Sequence, residues 1–211
     1  MLITRIEPVP RQPDRVRVHL AGHHAPVDLT RLVVEEAGLR PGIFLDDLQV
    51  QRLLSRNEFQ EVLDCALRFL ETRPRSEREV RTRLLRDRPA PELVDRVVDR
   101  LRELGFVDDA AFARFWIENR ERFSPRGSRA LKSELFQKGL ASQVIAEQLE
   151  ESVDETAGAR EVALRQAPRF AKLDHQTFRQ KLYGYLARRG FDYEAIGPAV
   201  EAAWQTVSAG E

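Results

Sequence analysis

Hydrophobic residues recur at helical spacing from Glu58 to the end of the chain. Three windows show apolar residues at i, i+3, i+4 and i+7 most clearly: EFQEVLDCALRFLETR, SEREVRTRLLRDR and ELVDRVVDRLREL. Pro74 and Ser76 precede one of these helices, and Gly105 follows another. Four residues stand where an N-cap belongs: Asp108, Ser142, Asp174 and Asp192. The pattern predicts nine helices, each of about 11 to 16 residues.

The first part of the chain has a different pattern. Residues 2–6 and 16–20 are short, rich in β-branched side chains and partly alternating, and the turn-forming stretch PVPRQPD separates them. A third short run, residues 26–29, follows AGHH. We expect a two- or three-stranded antiparallel piece, which needs a packing partner because an isolated hairpin is marginally stable. A short helix over residues 32–37 is predicted to end at Gly38.

Four apolar positions repeat with a period of 51 residues. They are Val80, Leu131 and Leu182; Leu84, Leu135 and Leu186; Val94, Ile145 and Ile196; and Val98, Leu149 and Val200. Gly139 and Gly190 share a register too, although Arg88 takes that place in the first copy. The sequence therefore predicts a mainly α-helical fold of three tandem three-helix repeats, forming an elongated curved body with a small N-terminal β-hairpin extension. We divide it into an extension with a short helix (1–55) and repeats 1 (56–104), 2 (105–153) and 3 (154–211).

Composition narrows the class of protein. The chain is 42% hydrophobic and 32% charged, with 34 basic and 34 acidic residues, which is unlike a disordered tail. The apolar runs are shorter than the roughly 20 residues that a membrane-spanning helix needs. Charged residues and prolines occur within the first ten positions, which is unlike a signal peptide. Cys65 has no cysteine partner and lies in an apolar run, so we place it in the core. We expect a soluble, cytoplasmic monomer.

The zero net charge hides a pattern that follows the repeat. Residues 73–88 and 120–138 each carry a net charge of +4 and residues 160–190 carry +6, whereas residues 139–155 and 191–211 contain acids and no Lys or Arg. Thirty of the basic residues are Arg, a bias that fits either a GC-rich genome or partners that bear phosphate or carboxylate groups. Arg75, Arg78 and Arg86 lie opposite the buried side of the first middle helix. A shared basic groove along the middle helices is one interpretation, and a set of ordinary solvated helix faces is the other.

Catalytic motifs are absent from the sequence. There is no phosphate-binding loop, dinucleotide fingerprint, HExxH, CxxC or GxSxG pattern. The Asp pairs at 46–47 and 108–109 precede helices and are better explained as caps than as acid–base pairs. Histidines stand at positions 19, 23, 24 and 175, without a convincing set of metal ligands. Phe112, Phe115 and Trp116 have core spacing, so we do not expect a base-stacking platform. We therefore predict a protein that is not an enzyme and needs no cofactor.

Four segments follow one another across about residues 58–205: RPRSEREVRTRL, LGFVDDAAFARFWIENR, PRGSRALKSELFQKGL and LARRGFDYEAI. In their residues, order and spacing they resemble the RecX family of regulatory proteins. The stretch GFVDDAAFARFWIENRERFSPRG is the most specific, and ITRIEP followed by GLRPG is similar to a β-hairpin extension found in part of the family. The chain departs from the family at residues 88–91, where a Lys-Gly turn is usual.

The resemblance implies a modulator of the recombinase RecA that lodges in the groove of the RecA filament on single-stranded DNA. Such proteins typically suppress ATP hydrolysis, strand exchange and co-protease activity. We expect the filament contact to involve seven cationic residues: Arg75, Arg78, Arg126, Arg129, Lys132, Arg188 and Arg189. Two alternatives stay open, a helical-repeat protein that binds DNA directly and a helical adaptor unrelated to recombination.

Overall fold

A computed structural model describes residues 1–22 and 25–209, so His23 and His24 lie outside the described residues. The chain forms two compact units. Unit 1 comprises Met1–Arg73 and Val80–Leu104, and unit 2 comprises Pro74–Glu79 and Gly105–Glu211. In the described part of the chain, no helix is long and apolar enough to cross a membrane.

Unit 1 begins with a three-stranded antiparallel sheet in the order β1 (Ile3–Val9), β2 (Gln12–Leu20), β3 (Val27–Thr30). The three predicted runs are therefore confirmed as strands, but most of PVPRQPD is strand as well, and the turn is reduced to residues 10–11. Helix α1 (Arg31–Glu36) follows, and Gly38 after it has a φ of 60°, as a helix-ending glycine requires. One face of the sheet buries its apolar side chains against α1 and the following helix, which supplies the packing partner that the hairpin needs.

Helix α2 (Asp47–Leu70) starts eleven residues before the predicted helical region and runs through the boundary proposed at 55/56. Asp46 causes the early start, because its carboxylate accepts from the Gln49 N–H at 2.7 Å while the Gln49 side chain accepts from the Asp46 N–H. This reciprocal capping confirms the capping interpretation of the Asp pair. Cys65 on α2 is only half-buried, so its placement in the core was wrong. The division into 1–55, 56–104, 105–153 and 154–211 stays a prediction.

The remaining helices are shorter and follow the predicted punctuation. They are α3 (Glu77–Leu84), α4 (Pro91–Glu103), α5 (Asp109–Phe123), α6 (Ser128–Gln137), α7 (Ser142–Ser152), α8 (Glu155–Gln166), α9 (His175–Arg188) and α10 (Tyr193–Ser208). Short 3₁₀ turns, Leu85–Asp87 and Ala167–Phe170, follow α3 and α8. Counting from α2, the described residues contain the nine predicted helices, although α2 has 24 residues and α3 only 8.

The 51-residue repeat is a repeat of buried positions. Eleven of the twelve residues in the four apolar sets are buried, and only Leu149 is half-buried. The turn after the middle helix is left-handed in all three copies, with φ of 56° at Arg88, 92° at Gly139 and 86° at Gly190. Arg88 thus occupies a conformation that suits glycine far better than a residue with a Cβ.

Capping and aromatic predictions were partly right. Asp108 and Asp174 cap α5 and α9 through their carboxylates, whereas Asp192 stands at the N-cap of α10 without a capping bond from its side chain. Ser142 is the first residue of α7, whose N-cap is Ala141, so the prediction for Ser142 was wrong. Among the predicted core aromatics, Phe112 is buried, but the other two, at 115 and 116, are only half-buried because α5 turns their side of the helix partly to solvent.

Candidate partner-binding surface of unit 2

All seven cationic residues predicted to contact a partner belong to unit 2. Exposed side chains are those of Arg78, Arg129, Lys132 and Arg188, and half-buried ones are those of Arg75, Arg126 and Arg189. The joins between successive repeats engage some of these cations and leave others to solvent.

The middle helices of the first two repeats, α3 and α6, each begin against the turn that ends the middle helix of the next repeat. At the first junction the Ser76 hydroxyl donates to the Lys138 carbonyl at 2.7 Å. At the second junction the Gly127 N–H donates to the Arg189 carbonyl at 3.1 Å. The two donor residues are 51 positions apart, and so are the two acceptors, so a hydrogen bond joins the same repeat positions at both junctions, from a hydroxyl in the first and a backbone N–H in the second.

A carboxylate from the first helix of the following repeat completes each junction. The Asp109 carboxylate accepts from the Glu77 N–H at 2.9 Å, and the Glu155 carboxylate accepts from the Ser128 N–H at 2.9 Å. The donors are the first residues of α3 and α6, where backbone N–H groups lack helical partners. Acidic side chains thus stabilise the positive ends of two middle helices.

Several of the predicted cations are engaged by these junctions. The Arg129 guanidinium donates to the carbonyls of Ala187 and Phe191, at 3.2 and 3.4 Å, and the Arg189 guanidinium donates to the Pro125 carbonyl at 3.1 Å. Arg78 lays its aliphatic stem against the backbone of the turn at 139, where a Cβ would lie 2.2 Å from the Arg78 Cδ. Arg129 and Arg189 therefore position one repeat on the next.

Lys132 and Arg188 are the cations that the junctions leave to solvent. Both are exposed, and the Arg188 guanidinium lies over its own helix, 3.2 Å from where a Cβ on Gly184 would be. Neither makes an ion pair with a carboxylate in the described parts of the chain. Arg126 differs, because its Nε lies 3.7 Å from the Glu134 carboxylate.

Sequence reasoning missed a cluster around Trp116. The indole N–H donates to a Glu134 carboxylate oxygen at 2.8 Å, and the Arg120 Nε–H donates to the same oxygen at 2.7 Å. The Arg120 guanidinium and the Lys138 ammonium each lie 4.8 Å from the centre of the indole ring, and Lys138 also pairs with Glu79 at 2.9 Å. The Trp116 side chain therefore donates a hydrogen bond and binds two cations in addition to packing in the fold. The sequence feature that could have indicated this cluster is the spacing of Trp116 and Arg120, which are four residues apart on α5.

Two exposed aromatic rings also accompany the cations. Phe136 is 62% exposed and lies four residues after Lys132, hence on the same side of α6. Tyr193 is 65% exposed, stacks on Tyr183 with ring centres 6.1 Å apart, and lies 5.8 Å from the Arg129 guanidinium. The α6 surface, defined as Arg129, Lys132, Phe136 and Tyr193, therefore combines positive charge with flat apolar groups. The sequence could have indicated Phe136, because it is an apolar residue of α6 outside the repeated buried positions Leu131 and Leu135.

Two carboxylates of unit 2 have pKa values shifted by their surroundings. Hydrogen bonds from the Thr177 hydroxyl and N–H lower the pKa of Asp174, as expected for a capping carboxylate. Burial and the nearby Glu118 raise the pKa of Glu121. Within residues 1–22 and 25–209, no three His, Cys, Asp or Glu side chains are grouped so that they would hold a metal ion.

Comparison with known proteins supports one family across the helical region. Models of the first, second and third three-helix domains of RecX match residues 63–101, 108–149 and 154–200. A regulatory protein RecX from Chlorobium phaeobacteroides is 35% identical over 147 residues, covering 70% of this chain and 96% of the relative. A regulatory protein RecX from Halalkalibacterium halodurans is 32% identical over 217 residues, covering 98% of this chain and 78% of the relative.

A solved structure agrees at the level of the fold. The crystal structure of a regulatory protein RecX matches with a TM-score of 0.71 at 24% identity, covering 92% of this chain and 98% of that one. The matches to the three RecX domain models and to the relative that is 35% identical show that the chain belongs to the RecX family.

Proposed function

We propose that this protein regulates RecA in the cytoplasm by binding the RecA filament on single-stranded DNA and lowering its ATPase, strand-exchange and co-protease activities. Membership of the RecX family supports a regulatory role, since the relatives are named regulatory proteins. The observation that carries the contact is the α6 surface, where exposed cations adjoin exposed aromatic rings. Guanidinium and ammonium groups of this kind pair with acidic protein surfaces and with phosphates.

The seven cations have two tasks in this proposal. Lys132 and Arg188 are free to pair with the partner, whereas Arg129 and Arg189 also position the repeats. Arg75, Arg78 and Arg126 extend the contact along the middle helices. A double variant of the two free cations therefore removes charge from the contact without breaking a junction.

The experiment measures the single-stranded-DNA-dependent ATPase rate of RecA during titration with this protein. We expect the parent to inhibit and K132E/R188E to require at least tenfold more protein for the same inhibition. R160E/K172E is the matched control, because it changes the net charge equally at exposed positions outside α6 and α9. Equal potency of K132E/R188E and the parent would contradict the assignment of Lys132 and Arg188 to the filament contact.

The stoichiometry of inhibition separates two modes of action. Inhibition far below one protein per RecA indicates capping or disassembly of filaments, because few sites then control many protomers. Inhibition only near equimolar amounts indicates occupancy along the groove. A folded protein without any effect on RecA contradicts the proposed function.

Direct binding to DNA is the second candidate, favoured by the Tyr193 ring stacked on Tyr183 beneath the Arg129 guanidinium. Aromatic rings with neighbouring cations bind single strands by stacking and charge. Fluorescence anisotropy with an oligo-dT strand tests this, and repetition across salt concentrations reports how many phosphates are neutralised. Tight, salt-dependent binding together with indifference to RecA would favour this alternative.

A further inference from the structure

A second groove with a uniform charge lies in unit 1, on the outer side of α2 where α4 packs against it. It encloses about 410 Å³ and is lined by Leu48, Gln51, Arg52, Ser55, Arg56, Phe59 and Arg96. Six of these residues form a stripe along α2, and the last comes from α4. The groove is separate in sequence from the α6 surface and belongs wholly to unit 1.

The charge of the groove is positive. Three guanidinium groups line it and no carboxylate does. Arg56 pairs with Glu36 from α1, an exposed pair that contributes little stability. Arg52 and Arg96 make no ion pair with any residue in the described ranges. An anionic ligand would therefore meet two unneutralised guanidinium groups.

The walls of the groove are apolar as well as charged. Leu48 is 54% exposed, and the Phe59 ring is half-buried with the Arg96 guanidinium 5.2 Å from its centre. Stacking on a ring holds the guanidinium in place while its N–H groups stay available to carboxylates. Phosphate groups alone would leave the Leu48 and Phe59 surfaces in water. An acidic peptide with an apolar side chain would satisfy both features.

We propose that this α2–α4 groove is a docking site for an acidic segment of a partner protein, with one apolar side chain against Leu48 and Phe59 and carboxylates on Arg52 and Arg96. The site does not depend on the proposed filament contact, since it uses other residues in the other unit.

The test uses the full chain and a fluorescein-labelled decapeptide of Asp and Glu that carries one Leu and one Phe three residues apart. We expect saturable binding by anisotropy that weakens at least tenfold in R52E/R96E, and a similar loss when Ser replaces the Leu and Phe of the peptide. R100E is the control, because Arg100 is an exposed residue of α4 outside the groove. R52E alone, which breaks no hydrogen bond or ion pair among the described residues, keeps the test valid if the double variant unfolds.

Three results would overturn the proposal. They are an absence of saturable peptide binding, equal affinity in R52E and R100E, and tighter binding of an oligo-dT strand at the groove than of the peptide. The last result would assign the groove to phosphates. The ATPase titration with RecA, measured on the same R52E protein, reports separately on the proposed function of the α6 surface.

Discussion

Replacement of Gly127 by alanine tests the junction between the second and third repeats. Gly127 is buried at the N-cap of α6, and its φ of −75° is open to any residue, so backbone conformation does not require glycine there. Space does. An added Cβ would lie 2.3 Å from the Gly190 carbonyl oxygen and 2.3 Å from the Phe191 nitrogen. Both neighbours are backbone atoms, so no side-chain rotation relieves the overlap.

The overlap is relieved only if the two repeats move apart at this point. Overpacking of a close contact costs about 1–3 kcal/mol. Separation also weakens two backbone hydrogen bonds, from the Gly127 N–H to the Arg189 carbonyl at 3.1 Å and from the Arg129 N–H to the Gly190 carbonyl at 3.3 Å. Each contributes about 0.5–1.5 kcal/mol. We expect G127A to lower the free energy of unfolding by about 2–5 kcal/mol, since the two effects add in part.

Urea unfolding of the full chain, followed by far-UV circular dichroism and tryptophan fluorescence, measures this loss. G184A is the matched control in α9, where the added Cβ meets only the movable end of the Arg188 side chain. A helix-interior Gly-to-Ala change of this kind should stabilise by about 0.5–1 kcal/mol. A G127A protein within about 0.5 kcal/mol of the parent would refute the argument from close approach.

Three other changes test separate features of the fold. R88G should raise the melting temperature and increase the free energy of unfolding by up to about 1 kcal/mol, because the left-handed φ of 56° suits glycine. A melting temperature below that of the parent would contradict this. S76A should lower the free energy of unfolding in urea by about 1–3 kcal/mol, because the buried hydroxyl donates a hydrogen bond to the Lys138 carbonyl. An unchanged urea midpoint would show that this hydrogen bond does not stabilise the fold. The hydrogen bond and charge of Arg17 lower the pKa of Asp28, so stability from this pair is present above the ordinary value of 3.8 and is lost as pH falls through the folded pKa. Melting temperatures between about pH 6 and pH 2.5 should therefore fall less steeply in D28N than in the parent, and parallel curves would contradict the pairing.

The local pattern of the sequence was sufficient for the number and order of the helices and for the buried positions of the repeat, although it placed the start of α2 eleven residues too late. An amphipathic helix records its core side in its own spacing, so the position sets that start at Val80 and Val94 were found without coordinates. Capping is equally local, and the carboxylates of Asp108 and Asp174 bond N–H groups two to three residues away. Repetition of the pattern three times then revealed the number of three-helix repeats.

Contacts between repeats were decided only by the tertiary structure. The Ser76 hydroxyl and the Lys138 carbonyl are 62 residues apart, and the sequence of neither segment indicates that it contacts the other. For the same reason the sequence did not show that the Arg129 guanidinium caps carbonyls of the next repeat, or that Gly127 is required by close approach. Charge and size are properties of single residues, whereas pairing and crowding depend on which residue lies opposite. The sequence alone determined which faces are buried, and the packing of repeats decided which cations remain available to a partner.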